Sequence, residues 1–536
     1  MLNTFPNITL DSDLYDLNPA IQLYGLRLFT DQTNLEFLAE LLLVAFSPKS
    51  VDDMEFSTPL PSYELLKKWP KRRELKYAPK SRLNLKLFSF LGSSKLDTRH
   101  KTHRDHLKNI DELLKENMLV NGDSKENVIR TMENLFLGFQ GSGTQRTWCA
   151  QSFTPICPGF LNAETLWNET EVRKYPVDSW EEVVSRYTKY FSVNKHRFLA
   201  RGGEVLYLQI CNALRQDPEI IASWAEKSGV KNGLTSFELD PKWLHEQLNS
   251  AFKDLMQICP KTVTDLAEFI DSGVEFKTSE HTDYIDKTEL RYTECGWCPQ
   301  ESWQEGYLFA VEVFRICRAE IDLMERLDLL EMACAMQILR SLAMQSDRQL
   351  SGSVDYFKPS FRFAISDPEG NNTSIRQISK DTLRFTQKMI YDAIRTPVIQ
   401  SRISPIDRTK VYREADRRYG YKLFINIAKR IGIVIPRRGS GMRFVLNEKI
   451  LRFLVITLVP SKRMTYDSFK EAAEIHFGLA IDERALSRAN YWVSNVQIDS
   501  FDSKPDEWFQ EMLEASGFLR KLSDSCALVE NPSAIY

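Results

Sequence analysis

Long apolar segments are missing from this 536-residue sequence. The longest uncharged apolar runs are LLLVAF at 41–46 and FLVITLV at 453–459, whereas a membrane-spanning helix needs about 20 residues. The amino terminus, MLNTFPNITLDSDL, has neither the basic start nor the apolar stretch of a secretory signal. We therefore predict a soluble protein of the cytoplasm that does not bind a membrane.

The nine cysteines are odd in number and scattered, which argues against a disulfide framework. Cys295 and Cys298 form a lone CxxC pair in an expected polar loop, without a second ligand pair at the spacing of a structural zinc site. His100, His103 and His106 lie in a basic segment, which favours a solvated or phosphate-facing helix over a metal site. We predict no metal and no other cofactor, with metal binding by the CxxC pair as an open alternative.

Catalytic motifs are also missing. The chain has no Walker phosphate loop, G-x-S-x-G elbow, HExxH helix, kinase motif set or dinucleotide fingerprint. The glycine-containing segments 138–146 and 201–204 favour turns, with an anion-binding loop as the alternative. Asp271, Glu275 and Lys277 loosely match the metal site of a nuclease. We therefore predict a non-catalytic protein, and a divergent metal-dependent nuclease stays open as an alternative.

The composition is that of an ordinary globular protein, with 43% apolar and 27% charged residues. The length exceeds what one core usually organises, and helical spacing of apolar residues dominates the middle of the chain, most clearly from Glu301 onwards. We predict a mainly α-helical fold with small β hairpins. Its regions are an amino-terminal region at 1–150, a helical scaffold at 151–390 and a winged-helix-like region at 391–536.

The winged-helix prediction rests on an order of helix, helix and hairpin. Apolar spacing predicts helices at 408–418 and 421–431, and the turn RRGSG between IGIVIP and MRFVL predicts a hairpin. This unit occupies 405–446. A second unit at 447–530 is the alternative to a single one, with helices capped by Thr465 and Asp482 and a closing hairpin of FLRKL and CALVE.

Charge is strongly segregated along the chain. The net charge is −3, from 70 Lys and Arg against 73 Asp and Glu. Segment 67–108, in which alternating leucines at 83, 85 and 87 predict a strand, holds 14 basic and three acidic residues. Segment 395–443 holds 13 basic and three acidic residues. Such segments are typical of a protein that binds a phosphate backbone, with a solvated surface or an acidic protein partner as the alternative.

The DNA contacts that we predict lie in four places: the basic segment 67–108, the helix at 421–431, the hairpin tip and the outward face of a helix at 483–495. On that last helix, Arg can pair with guanine, Asn with adenine and Tyr with phosphate, as on a recognition helix in the major groove. The residues are Lys71, Arg72, Arg73, Lys422, Lys429, Arg430, Arg437, Arg438, Arg484, Arg488, Tyr491 and Asn495.

Three segments, at 141–153 (GSGTQRTWCAQSF), 197–215 (RFLARGGEVLYLQICNALR) and 451–482, resemble accessory subunits of bacterial multi-gene anti-phage DNA-defence systems, such as phosphorothioation-dependent restriction. Those subunits lack ATPase and nuclease motifs. The resemblance implies a complex with an ATPase or nuclease subunit, and it transfers no catalytic residue. We therefore predict a DNA-binding or adaptor subunit that binds double-stranded DNA, with a protein–protein scaffold that does not touch DNA as the alternative.

Overall fold

The structure is a computed structural model, which describes residues 18–25, 28, 30–51, 54–68, 75–91, 100–122, 124–142, 146–185, 187–192, 202–272, 293–296, 298–352, 361–370, 372–401, 403–498, 500, 501, 504–523 and 526–534. Within these ranges the chain is mainly helical and carries small sheets. The predicted mainly α-helical class is confirmed.

The first half of the chain contains thirteen of the described helices and seven of the described strands. The helices are α1 (Pro19–Tyr24), α2 (Asn34–Phe46), α3 (Tyr63–Lys68), α4 (Leu83–Phe90), α5 (Lys101–Asn117), α6 (Lys125–Gly138), α7 (Glu169–Lys174), α8 (Trp180–Ser185), α9 (Tyr187–Tyr190), α10 (Gly202–Leu214), α11 (Pro218–Ser228), α12 (Pro241–Gln257) and α13 (Lys261–Ser272). The strands are β1 (Lys49–Val51), β2 (Met54–Phe56), β3 (Leu75–Tyr77), β4 (Gln140–Ser142), β5 (Ser152–Phe153), β6 (Leu166–Trp167) and β7 (Phe191–Ser192).

The second half adds further helices and short strands. The helices are α14 (Trp303–Arg318), α15 (Leu323–Ser351), α16 (Thr373–Ala393), α17 (Pro397–Gln400), α18 (Arg408–Glu414), α19 (Tyr421–Ile431), α20 (Glu448–Leu458), α21 (Tyr466–Phe477), α22 (Glu483–Ser494) and α23 (Glu507–Ala515). The strands are β8 (Thr293–Gly296), β9 (Phe363–Ala364), β10 (Val434–Ile435), β11 (Arg443–Phe444), β12 (Arg463–Thr465), β13 (Leu479–Ala480), β14 (Leu519–Ser523) and β15 (Cys526–Glu530).

The centre of the fold is the helix pair α14 and α15, which confirms the helical pattern predicted from Glu301 onwards. The carboxylate of Asp322 caps α15 by accepting the backbone N–H of Glu325 at 3.0 Å. Gly352 ends the helix in the left-handed conformation, with φ of 69°. Helices α2, α10, α12, α16, α19 and α20 pack around this pair. The pair is therefore the scaffold on which the other elements are arranged.

Two ion pairs cross between α14 and α15 inside the core. Glu305 and Arg348 are completely buried and form two hydrogen bonds, of 2.7 and 2.6 Å. Glu312 and Arg340 form a second bidentate pair, of 2.7 and 3.0 Å. A buried charge is costly unless it is paired and hydrogen-bonded. The two helices therefore tolerate these charges only in the register that pairs them.

A cluster of buried carboxyl groups joins α2 to the start of α10. Arg146 lies 2.8 Å from a carboxylate oxygen of Glu36 and also pairs with Glu164. Glu40 accepts the backbone N–H of Gly203 at 2.9 Å. Burial, reinforced by the charge of Glu164, raises the pKa of Glu40 well above its usual value. Arg146 and Gly203, which belong to the glycine-containing segments 138–146 and 201–204, therefore make contacts inside the protein.

The strand predicted for the leucines at 83, 85 and 87 is wrong, because these residues form helix α4. All three leucines are buried, and α4 packs against α5, α6 and α13. A helix that is covered on several sides has apolar residues on more than one face. A short apolar run of this kind does not reveal by its spacing whether it is a strand or a helix.

A four-stranded antiparallel sheet, in the order β2-β1-β3-β8, lies beside α10. Cys295 lies within β8 and is buried, so the polar loop predicted for the CxxC pair is wrong at this residue. Cys298 is also buried, and its thiol lies 3.3 Å from the carbonyl oxygen of Leu208. Burial raises the pKa of the Cys298 thiol to about 12, which disfavours the thiolate form that binds metals.

The unit predicted at 405–446 has the expected elements. Helix α18 continues into a π-helical turn at Ala415–Tyr419, and α19 has the predicted bounds. Gly432 ends α19 with φ of 82°, a left-handed conformation that suits glycine. Strands β10 and β11 form the predicted antiparallel hairpin, in which Val434 is opposite Phe444.

Residues 448–530 form a second group of elements around the sheet β12-β15-β14. The predicted caps Thr465 and Asp482 are confirmed, because their side chains accept backbone N–H groups at 3.2 and 2.8 Å. The predicted closing hairpin is confirmed as β14 and β15. Helix α22 ends at Ser494, so the helical position predicted for Asn495 is wrong. Asn495 instead adopts the left-handed conformation with φ of 57°.

Contacts cross the predicted boundary near residue 391. Strand β9 pairs in parallel with β13, and α16 packs on α22. A small apolar core that includes Ala364, Ile375, Ala480 and Leu486 fills the space between these elements. The described residues on both sides of 391 therefore share packing, and the three-region division of the chain stays a prediction.

Candidate nucleic-acid interface

Three cations line the exposed side of α18 and the π-helical turn that follows it. Val411 and Tyr412 face the interior, because apolar side chains on one side of a short helix pack on the core. Lys410, Arg413 and Arg417 are exposed on the other side, at the helical spacing i, i+3 and i+7. This spacing could have identified the three cations from sequence, where they were not singled out.

Helix α19 and the hairpin add four more cations. On α19, Lys422 is exposed and Lys429 is half-buried. Arg437 and Arg438 are exposed in the turn between β10 and β11. Gly439 in this turn has φ of 97°, and a Cβ built on it would contact no atom within 4 Å. The hairpin tip therefore projects into open space.

These seven side chains define the basic surface of the protein. They are Lys410, Arg413, Arg417, Lys422, Lys429, Arg437 and Arg438. Within the described ranges, none of the seven forms an ion pair or a side-chain hydrogen bond. No carboxylate in the described parts of the chain therefore pairs directly with these seven positive charges.

Neighbouring cations of segment 395–443 are used inside the protein. Arg395 forms two bonds with Asp416, of 3.0 and 2.6 Å. Arg430, which was predicted to contact DNA, instead donates to the carbonyl oxygens of Gln32 and Thr30, at 2.5 and 3.4 Å. Burial lowers the pKa of Arg430. Arg430 therefore anchors α19 to the turn before α2 and is not part of the basic surface.

The predicted recognition helix, α22, presents a weaker set of contacts. Arg488 forms two bonds with Glu474, of 3.0 and 2.5 Å. Arg484 is exposed but follows the exposed carboxylate of Glu483. Tyr491 is 54% exposed, in the second half of the helix. Since α22 packs on α16 and one of its two arginines is paired, it has fewer cations that could contact DNA than the basic surface has.

Several cations of the amino-terminal basic segment support the fold. Lys86 is buried and donates to the carbonyl oxygens of Cys149 and Ala163, at 2.9 and 2.5 Å. Burial lowers the pKa of Lys86 to about 8. Lys67 pairs with Asp217 at 2.9 Å. Three predicted contacts of this segment lie outside the described residues: Lys71, Arg72 and Arg73.

The solvated or phosphate-facing helix predicted for the histidine cluster is wrong for His103 and His106, because both are buried. The ring of His106 stacks on Trp180, with the ring centroids 4.0 Å apart. His103 lies edge-on to Trp167, at 4.6 Å. Burial, together with the charge of His103, lowers the pKa of His106 to about 3. A neutral, buried imidazole cannot hold a phosphate.

The predicted nuclease triad is described only at Asp271. This residue is half-buried, lies 3.6 Å from the guanidinium of Arg82 and accepts the backbone N–H of Leu85 at 3.4 Å. Glu275 and Lys277 lie outside the described residues. Among the residues that the structure describes, no group of three or more His, Cys, Asp or Glu side chains could hold a metal ion.

Helix α23 carries the opposite charge. It packs on α21 through the stacked rings of Phe469 and Phe509, whose centroids lie 6.1 Å apart. Its exposed positions include Glu507, Glu511 and Glu514, at the spacing i, i+4 and i+7. This face would repel the phosphates of DNA, because like charges repel at short range.

The chain matches no protein-family model, no curated protein and no solved structure. None of the helices in the described ranges combines the length and the apolar character that a membrane crossing requires.

Proposed function

We propose that this protein is a non-catalytic DNA-binding or adaptor subunit of a prokaryotic anti-phage defence complex. Its proposed ligand is double-stranded DNA, and its proposed partner is an ATPase or nuclease subunit. The defence role rests on the resemblance of segments 141–153, 197–215 and 451–482. The DNA-binding role rests on the basic surface.

The observation that carries this proposal is the contrast between paired and unpaired cations in one segment. Arg395, Arg430 and Arg443 donate to acceptors of the protein itself, whereas the seven cations of the basic surface have no such acceptor among the residues that the structure describes. Unneutralised cations on a surface can release counterions from a phosphate backbone, which is the main source of sequence-independent DNA affinity. The helices α18 and α19 and the β10–β11 hairpin support the interpretation of this unit as a winged helix.

The test is binding of a fluorescent duplex at low salt. The variant Lys410→Gln/Arg413→Gln/Arg417→Gln removes three charges from the exposed side of α18 and its π-helical turn while keeping long polar side chains. A matched control is Arg173→Gln/Lys174→Gln on α7, where both cations already pair with carboxylates at 3.2 and 3.1 Å.

We expect the triple variant to lose at least tenfold in duplex affinity, because each lost phosphate contact reduces the counterion release. The control should bind like the unmodified protein. Equal affinities of the triple variant and the control would contradict the proposal, and so would the absence of duplex binding at low salt.

A second candidate function is a protein–protein scaffold, and the carboxylates of α23 favour it. Glu507 and Glu511 are exposed, and neither forms an ion pair within the described residues. Such a face suits a basic protein partner, as expected of a scaffold that does not touch DNA. The divergent nuclease alternative gains no support from the surroundings of Asp271.

A further inference from the structure

Tyr391 is an exposed aromatic side chain beside the basic surface. It lies near the end of α16, and 41% of its surface is exposed. Its ring centroid lies 6.3 Å from that of Tyr421, with an interplanar angle of 62°. Tyr421 is the first residue of α19 and is followed directly by Lys422. The ring of Tyr391 therefore lies close to the backbone that carries a cation of the basic surface.

Arg395 holds the ring of Tyr391 in place. The guanidinium carbon lies 3.4 Å from the ring centroid, and the same side chain donates to the carbonyl oxygen of Tyr391 at 2.9 Å. Asp416 also fixes the guanidinium, by accepting two hydrogen bonds from it. The position of the ring is thus determined before any ligand binds, and the charge of Asp416 is neutralised.

Two cations of the basic surface directly follow residues of this arrangement in the sequence. Arg417 follows Asp416, and Lys422 follows Tyr421. Proteins that bind single-stranded nucleic acid combine cations that follow the backbone with aromatic rings on which bases stack. The bases inside an uninterrupted duplex are already stacked on each other and leave no face for such a ring. A fixed, exposed ring next to unpaired cations therefore suits an unpaired base.

We propose that Tyr391 stacks on an unpaired nucleobase, so that the protein prefers DNA in which a duplex meets a single strand. This inference rests on the proposed function, since the basic surface would hold the phosphate backbone beside the ring. It adds a ligand class to that function, namely duplex ends with a single-stranded tail.

The test compares two DNAs that share one duplex of about 20 base pairs. One is blunt, and the other carries a single-stranded tail of about eight nucleotides, within the usual site size for single strands. The variants are Tyr391→Ala, which removes the ring, and Tyr391→Phe, which keeps it. Tyr175→Ala is the matched control, because Tyr175 is 48% exposed and also lies under a cation, Lys189, but is outside the basic surface.

We expect the unmodified protein to bind the tailed DNA about tenfold more tightly than the blunt DNA, which corresponds to one base–aromatic stacking interaction. Tyr391→Ala should lose this preference and keep its affinity for the blunt duplex. Tyr391→Phe and Tyr175→Ala should retain the preference, and unchanged thermal unfolding of each variant would show that the fold is intact.

Two results would overturn the inference. If the unmodified protein binds both DNAs equally, or if Tyr391→Ala keeps the preference, then the ring does not stack on a base, although the basic surface still binds DNA. If neither DNA is bound at low salt, the proposed function fails as well. The blunt duplex thus separates failure of the inference from failure of the function.

Discussion

The completely buried ion pair between Arg348 and Glu305 gives the sharpest stability prediction. Replacing Arg348 with Met removes its two hydrogen bonds to Glu305, of 2.7 and 2.6 Å, and leaves the carboxylate of Glu305 buried without its cation. Breaking a buried pair from one side typically costs about 3–5 kcal/mol. Because a folded domain is typically stable by only about 5–15 kcal/mol, this loss is a large fraction of the total.

The measurement is a double-mutant cycle by equilibrium urea denaturation. Glu305→Leu should be as costly as Arg348→Met, since it leaves a guanidinium unpaired in the core. The double variant should cost less than the two single variants summed, because neither charge then remains buried.

The control is the exposed pair of Lys231 and Glu226, which are 2.7 Å apart with 57% and 68% of their side chains exposed. Replacing Lys231 with Met should cost about 1 kcal/mol or less. A similarly small cost for Arg348→Met, or additive costs of Arg348→Met and Glu305→Leu, would refute the reasoning.

Three further perturbations have clear expected outcomes. Gly203→Ala should strongly lower the melting temperature, because the new Cβ would lie 2.5 Å from backbone atoms of α2. Gly138→Ala should leave the melting temperature nearly unchanged, because a Cβ at that position would have no atom within 4 Å. His106 stays neutral in the native state, whereas in the unfolded chain it is protonated below about pH 6.5. The free energy of unfolding, measured by urea titration, should therefore fall as the pH is lowered from about 6.5 towards 3, and it should fall less steeply for His106→Gln. Because the pKa of Glu40 is raised, its contribution to stability is lost as pH rises above about 4.5, and Glu40→Gln should unfold at a higher temperature than the unmodified protein at pH 8.

The sequence predicted the local elements of the carboxyl-terminal region well. The bounds of α19 could be predicted because one face is apolar and Gly432 can adopt the positive φ that ends the helix. The caps Thr465 and Asp482 could be predicted because their side chains bond to residues only three positions away. Both signals are local, so they do not depend on how the rest of the chain folds.

Long-range contacts explain what the sequence could not predict. The solvated helix predicted for His106 failed because Trp180, 74 positions later in the sequence, covers that imidazole. Arg430 could not be separated from Lys429 by charge or spacing, since its acceptors lie nearly 400 positions earlier in the chain. Whether a cation can contact DNA depends on whether such distant residues already bind it, and only the folded structure shows this.

The most direct test of the central claim is the salt dependence of duplex binding. If all seven cations of the basic surface contact phosphates, a plot of log K against log salt should have a slope of about −6, and Arg437→Gln/Arg438→Gln should reduce its magnitude by about 2. A slope near zero, or an equal slope for the variant and the unmodified protein, would contradict the claim that this surface binds the DNA backbone.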